Sequence, residues 1–332
     1  MRVTVAALAL AVTLTCGMPA PAQVAPASPT GSNPIAQSVA EDQVLKAEGR
    51  AKGTVRIPDQ KEAILEQPQG RRYQTYHEHV LPWLGGVVIV GVLLALGLFY
   101  WRRGAVELEF PPTGIKIERF GAGERLMHWM TATSFIVLAI TGLNYVFGKR
   151  LLMPLIGPEA FAIWSQWAKF LHNAFAWPFM LGLITMFIVW VKGNLPDRYD
   201  REWLRRMGGL LSHHDHPPAL RFNAGQKLMF WVVVLAGGVL IASGLALLFP
   251  FTVFDINGMQ LLQYVHGIVA TLLVGLILGH IYIGTIGIQG AFDAMKYGYV
   301  DLAWAKEHHS AWVQQLQSKR ERRPGLRGLP PE

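Results

Sequence analysis

Cysteine is all but missing from this chain: Cys16 is the only one in 332 residues. It lies in "MRVTVAALALAVTLTCGMPAPAQVA", where Arg2, an apolar run from Val3 and the small residues Ala20 and Ala22 read as a secretory signal peptide over residues 1–22. The "TLT" before Cys16 lacks the Leu and the small residue of a lipoprotein site. With that segment removed no thiol remains, which excludes disulfides, zinc–thiolate sites and iron–sulfur ligation by this chain. Charge is also scarce, at 16% of residues against 52% hydrophobic. The apolar residues gather in blocks as long as a bilayer is thick, so the chain reads as an integral membrane protein. Those blocks hold almost no carboxylates, which argues against a proton or ion transporter working through Asp/Glu/His chains. The formal net charge of +8 then reflects cytoplasmic Lys/Arg anchoring rather than a nucleic-acid partner.

What is present organises itself simply. Residues 23–80 form an extracytoplasmic segment, rich in Pro, Ala, Gln, Ser and charge and largely disordered up to about residue 75. Five apolar blocks follow, at 81–101, 126–147, 169–191, 228–249 and 260–288. Lys and Arg concentrate in 102–125, in 192–227 and in the tail 291–332, whereas "FPFTVFDING" has none. The positive-inside rule puts the basic segments in the cytoplasm. The expected protein is all-α, multi-pass and in the bacterial inner membrane, with its mature N-terminus periplasmic and its C-terminus cytoplasmic. One extra N-terminal helix (81–101) and a cytoplasmic linker (102–125) precede a four-helix domain (126–290).

Four of eleven histidines lie within or just inside the last four spans: His128, His172, His266 and His280. Intramembrane ionisable groups are costly and mark function. His266 and His280 are fourteen residues apart, just under four helical turns, so they share a face and are separated by about 21 Å of rise. His280 is level with His128 and His266 with His172. Two cross-helix imidazole pairs, one near each membrane surface, are what two b-type haems require of their axial ligands. Gly142 in the second span and Gly267, Gly275, Gly279 and Gly284 in the fifth would let a flat ring approach the backbone. "SHHDHPP" (212–218) reads as a solvated loop rather than a metal site. His77, His79, His308 and His309 read as interfacial or exposed. Arg119, Arg125 and Lys227 could neutralise haem propionates or be ordinary cytoplasmic anchors.

In order along 115–315, "RFGAGERLMHWM", "FLHNAFAWPFMLGL", "GNLPDRYDREWL", "RFNAGQKLMFW", "HGIVATLLVGLILGHIY" and "WAKEHHSAW" resemble the gamma subunit of membrane-bound respiratory formate dehydrogenase, a dihaem cytochrome b. The related cytochrome b subunits of nickel–iron hydrogenases share the dihaem plan. The resemblance implies that His172 and His266 ligate an outer haem b, and His128 and His280 an inner one. It matches "NAGQK" to a quinone pocket, implying Asn223, Gly225 and Gln226; from the residues alone, Asn223 is a helix cap. It further implies menaquinone or ubiquinone as acceptor. The implied partners are an iron–sulfur beta subunit and a molybdenum- or tungsten-containing alpha subunit. Formate oxidation belongs to the partner, and no catalytic residue is assigned here. The family's shorter members lack the segment before residue 105.

Overall fold

A computed structural model of the protein describes residues 68–210 and 215–322. The expected signal peptide lies outside the described residues. Among the described residues five helices are long and apolar enough to cross a membrane. The elements are α1 (Pro68–Thr75), α2 (Leu81–Arg103), β1 (Lys116–Glu118), α3 (Ala122–Leu151), α4 (Met153–Ile156), α5 (Pro158–Trp190), α6 (Asp200–Arg205), α7 (Ala224–Leu248) and α8 (Ile256–Tyr282). After these come α9 (Asp293–Lys296), β2 (Tyr299–Asp301), α10 (Leu302–His308) and α11 (Ser310–Arg322). The fold is therefore the all-α membrane bundle expected from the apolar blocks, with one antiparallel pair of three-residue strands, β1 and β2.

α3 packs on α5, α5 on α7, and α7 on α8, while α2 lies against α8 and touches α3. Small residues set these approaches. A Cβ on Gly182 would sit 2.2 Å from Thr131 Oγ1, bringing α5 onto α3, and one on Gly237 would sit 2.7 Å from Leu183, bringing α7 onto α5. Close backbone approach is how membrane helices associate when lipid removes the hydrophobic drive.

The glycines of α8 serve a different neighbour from the one their position suggests. A Cβ at Gly275 would lie 2.6 Å from Val88 Cγ1, and one at Gly267 would lie 3.0 Å from Tyr76 Oη and 3.2 Å from Leu81. Both seat α2 and the turn before it; at Gly279 and Gly284 nothing lies within 4 Å. Helix also begins earlier than composition indicates, since α1 and a π turn (Tyr76–Val80) precede α2. Aromatic contacts hold this polar stretch down. Tyr76 stacks edge-on against Tyr264 at 4.3 Å and donates to its carbonyl, His77 meets Tyr145 at 4.6 Å, and Arg150 donates to the Glu78 carbonyl.

At the other end of the bundle, the chain after α8 folds back as a cap. Asp301 accepts from the backbone N–H groups of Thr113, Gly114 and Ala303, and Glu307 from that of Phe110. The 104–118 linker is thus stitched to the C-terminal segment. Trp304, Trp312 and Val313 pack with Phe120, Trp190 and Phe222 into one apolar cluster. We call this the capped end, and the end bearing Tyr76 and Tyr264 the open end.

Gly275→Leu should push α2 off α8, since overpacking costs about 1–3 kcal/mol. A lowered thermal midpoint of the purified protein reads it, and Gly279→Ala should leave the midpoint unchanged.

Candidate functional site

Four histidines on three helices converge as two pairs. The His128 and His280 rings are 6.2 Å apart by their centroids at the capped end, and the His172 and His266 rings are 6.3 Å apart at the open end. The pairing by depth is as the spacing indicates, and α8 runs unbroken between its two histidines. Direct N–H···N bonding at about 2.9 Å would bring the ring centres to roughly 5.3 Å. Two imidazoles on one metal, with bonds of about 2 Å and roughly 1.2 Å from nitrogen to ring centre, give roughly 6.4 Å. The observed spacing matches the second case. α3 and α8, and likewise α5 and α8, are not among the main packing pairs of the bundle, so the imidazoles face each other across gaps.

A hydroxyl sits beside Nδ1 of each imidazole at the open end. With the Thr141 Oγ1 proton on the Val137 carbonyl at 2.7 Å, its lone pair accepts from His172 Nδ1–H at 2.8 Å. Ser243 repeats the device on α7, donating to Val239 O at 2.7 Å and accepting from His266 Nδ1–H at 2.9 Å. Each Nε2 then keeps its lone pair for a metal, an orientation that metal-bound histidines use widely. Gly244 keeps the edge of the His266 ring clear, since a Cβ there would lie 3.3 Å from Cε1, whereas one at Gly142 would make ordinary contact with His172 Cε1 at 3.6 Å. Gly244, Thr141 and Ser243 were not singled out in the sequence, although a hydroxyl or glycine facing each histidine is the kind of signal that could have found them. At the capped end His128 Nδ1 is buried with no hydrogen-bond partner.

Among the described residues no three of His, Cys, Asp and Glu gather to hold an ion. Histidines that come in twos fit a centre whose other ligands are its own, as in haem.

The "NAGQK" turn is a helix cap. Asn223 Oδ1 accepts from Gln226 N at 2.9 Å, and Gln226 Oε1 accepts from Asn223 N at 3.1 Å, a reciprocal capping box on α7. Gly225 faces Trp203, whose ring would be 2.7 Å from a Cβ there. The side-chain oxygens of Asn223 and Gln226 are therefore in use and only their NH₂ groups remain as donors.

The three basic candidates separate. Lys227, 5% exposed, binds Asp197 at 2.5 Å and Asp200 at 2.8 Å. Arg125 donates to Lys296 O at 3.1 Å. Arg119, 4% exposed, donates through Nη2 to Arg221 O at 2.7 Å, Gln226 Oε1 at 3.2 Å and His309 Nε2 at 2.9 Å. Burial, then the nearby Arg221, lowers its pKa to about 9.

His309 is a correction to the reading of tail histidines as exposed. It is 1% exposed, and Nδ1–H donates to Leu220 O at 2.6 Å. The charged segments around it look like solvated loops in the sequence, and only the cap's fold turns them inward. In the 212–218 loop, His216 pairs with Glu109 at 3.1 Å and Asp215 with Arg206 at 2.9 Å; His213 and His214 lie outside the described residues.

A family model described as prokaryotic cytochrome b561 matches residues 119–298, more than half of the chain. The chain belongs to the prokaryotic cytochrome b561 family. A b-type haem is what this family implies, and all four paired histidines fall inside the match. The match excludes α2 and the tail from residue 299. Over 210 residues, 62% of this chain and 96% of the relative, it is 30% identical to the formate dehydrogenase cytochrome b556(fdo) subunit of Escherichia coli K12. It is 27% identical over 212 residues to the nitrate-inducible cytochrome b556(Fdn) subunit of the same organism, covering 62% and 94% of the two chains. With the formate dehydrogenase cytochrome b556 subunit of Haemophilus influenzae it shares 25% over 205 residues, 60% and 83% of the respective chains. The likeness to formate dehydrogenase cytochrome b subunits that the motifs carry is thereby borne out.

Thr141→Ala or Ser243→Ala should weaken haem retention roughly 10- to 100-fold, measured by haem transfer to an apo-acceptor protein, with the folded helices unchanged by circular dichroism. A second outcome concerns pH. Burial, then the charge of Arg119, holds His309 well below the usual histidine value, and burial lowers His308 to about 4. Both are neutral in the fold and take up protons more readily once it opens. The cap's stability is thus full above about pH 6.5 and falls as pH drops below it. Amide protection factors in α10 and α11, corrected for the pH dependence of intrinsic exchange, should fall between pH 6.5 and 4.5, and less so in His309→Gln.

Proposed function

We propose that this chain is the membrane cytochrome b subunit of a formate dehydrogenase, carrying electrons from a periplasmic iron–sulfur partner to quinone at the cytoplasmic face. The observation that carries the reading is the pair of histidine pairs, 6.2 and 6.3 Å between ring centres, set about 21 Å apart by the rise of one helix. His172 and His266 would hold a haem b at the open end, and His128 and His280 a second at the capped end. Bound haem supplies one-electron chemistry; the chain supplies everything else.

The facing histidines of each pair would hold a haem iron between them across the gap. Thr141 and Ser243 keep Nε2 free at the open end. The apolar spans exclude water. The basic loops support a cytoplasmic capped end, which would leave the open end for the partner subunits, an iron–sulfur beta subunit and a molybdenum- or tungsten-bearing alpha subunit. Near the capped end, the NH₂ groups of Asn223 and Gln226 can donate to a quinone carbonyl; Gly225, covered by Trp203, acts by admitting that indole. The relatives' names favour formate over hydrogen as the upstream donor, and a hydrogenase cytochrome b subunit is the second reading. Co-purification of the detergent-solubilised chain separates them by the partners recovered.

Reduced-minus-oxidised spectra and haem extraction on the purified chain test the core. Two haems b per chain are expected. His128→Ala and His280→Ala should each remove the same one, and His172→Ala and His266→Ala the other. A chain without haem b, or loss of one common haem in both His266→Ala and His280→Ala, would overturn the assignment.

A further inference from the structure

We propose that Arg119, held by His309, is a positioning residue for the acceptor site, acting through the Gln226 amide; this rests on the quinone reading above. Arg119 is a buried cation whose hydrogen-bond partners are all neutral: Arg221 O, Gln226 Oε1 and His309 Nε2. Burying a charge is costly unless it is paired. Its neighbour Lys227 meets two carboxylates. Aromatic faces relieve Arg119 in part, with Trp304 at 4.9 Å and Phe120 at 5.3 Å from Cζ.

The arrangement fixes which way the amide points. Gln226 Oε1 takes hydrogen bonds from both Asn223 N and Arg119 Nη2. A flipped amide would set its NH₂ against those two donors. Arg119 therefore locks Gln226 with its NH₂ outward, on an exposed residue, as a donor to a carbonyl oxygen. Its positive charge lies one hydrogen bond behind that donor and favours an acceptor that gains negative charge.

His309 does the same for Arg119. Its Nδ1–H is committed to Leu220 O, so Nε2 is left as the acceptor for the guanidinium. Trp312 N donates to Ala219 O, closing the tail over the same turn. A segment outside the family match thus holds the geometry of the turn inside it.

The test uses the purified complex, with its b haem prereduced stoichiometrically by dithionite and reoxidised by a short-chain ubiquinone or naphthoquinone. Arg119→Lys keeps the charge, but its ammonium ends one atom short of the Nη2 position that meets the three acceptors, and it lacks the planar group that lies over Trp304 and Phe120. It should raise the half-saturating quinone concentration about tenfold, with haem content and limiting rate little changed. His309→Leu should do likewise. His309→Gln, whose oxygen can accept from Arg119 while its NH₂ donates to Leu220 O, should behave as wild type. If Arg119 acts through Gln226, adding Arg119→Lys to Gln226→Leu changes nothing further. Wild-type half-saturation in Arg119→Lys or His309→Leu, or additive effects in the double variant, overturns the inference. A Gln226→Leu protein with unchanged half-saturation overturns the quinone reading itself.

Discussion

An imidazole inside a bilayer must be given something to bind, and this constraint organises the whole molecule. Four histidines meet it in pairs. Because two of them share α8, the rigid rise of one helix fixes how far apart the two pairs lie, and α3, α5 and α7 take their places by facing one of them. α3 and α5 carry the opposing imidazoles, while α7 supplies the hydroxyl and glycine that orient His266. The bundle can leave gaps at these positions because small residues close it elsewhere, at Gly182 against Thr131 and at Gly237 against Leu183.

The two centres differ in what lies behind their ligands. At the open end both imidazoles give Nδ1–H to a hydroxyl that is itself tied to a backbone carbonyl. At the capped end His128 Nδ1 has no hydrogen-bond partner. A hydrogen-bonded imidazole is the more basic ligand, and more basic ligands favour the oxidised metal. In the function proposed above, a haem held at the open end would be the stronger reductant by ligand basicity, the sense that the proposed electron flow requires.

Depth and face were legible in the sequence because both follow from helical rise alone; hence the spans and the pairing of His128 with His280 and His172 with His266. Neighbour identity was not, because rise does not say which helix lies opposite. Gly267 and Gly275 looked like room for a cofactor and are room for α2. Thr141 and Ser243 were overlooked because single hydroxyls in apolar spans are common, and only the position of a facing imidazole gives them meaning. The capping role of Asn223 was readable, since an Asn three residues before Gln is a local signature. His309 was misread because a charged tail says nothing of the surface it folds onto.

Two buried cations against the same turn show how local charge balance separates structure from function. Lys227 meets Asp197 and Asp200, so its desolvation is offset and its job is to fasten α6 and its preceding loop to α7. Arg119 meets only neutral acceptors and aromatic faces. If its role were anchoring alone, a neutral hydrogen-bonding side chain would make those contacts without the cost of an uncompensated charge. A fold that keeps the charge, and builds a fully buried histidine behind it, has a use for positive potential at the Gln226 amide. An acceptor that takes up electrons there is the ligand whose chemistry rewards it.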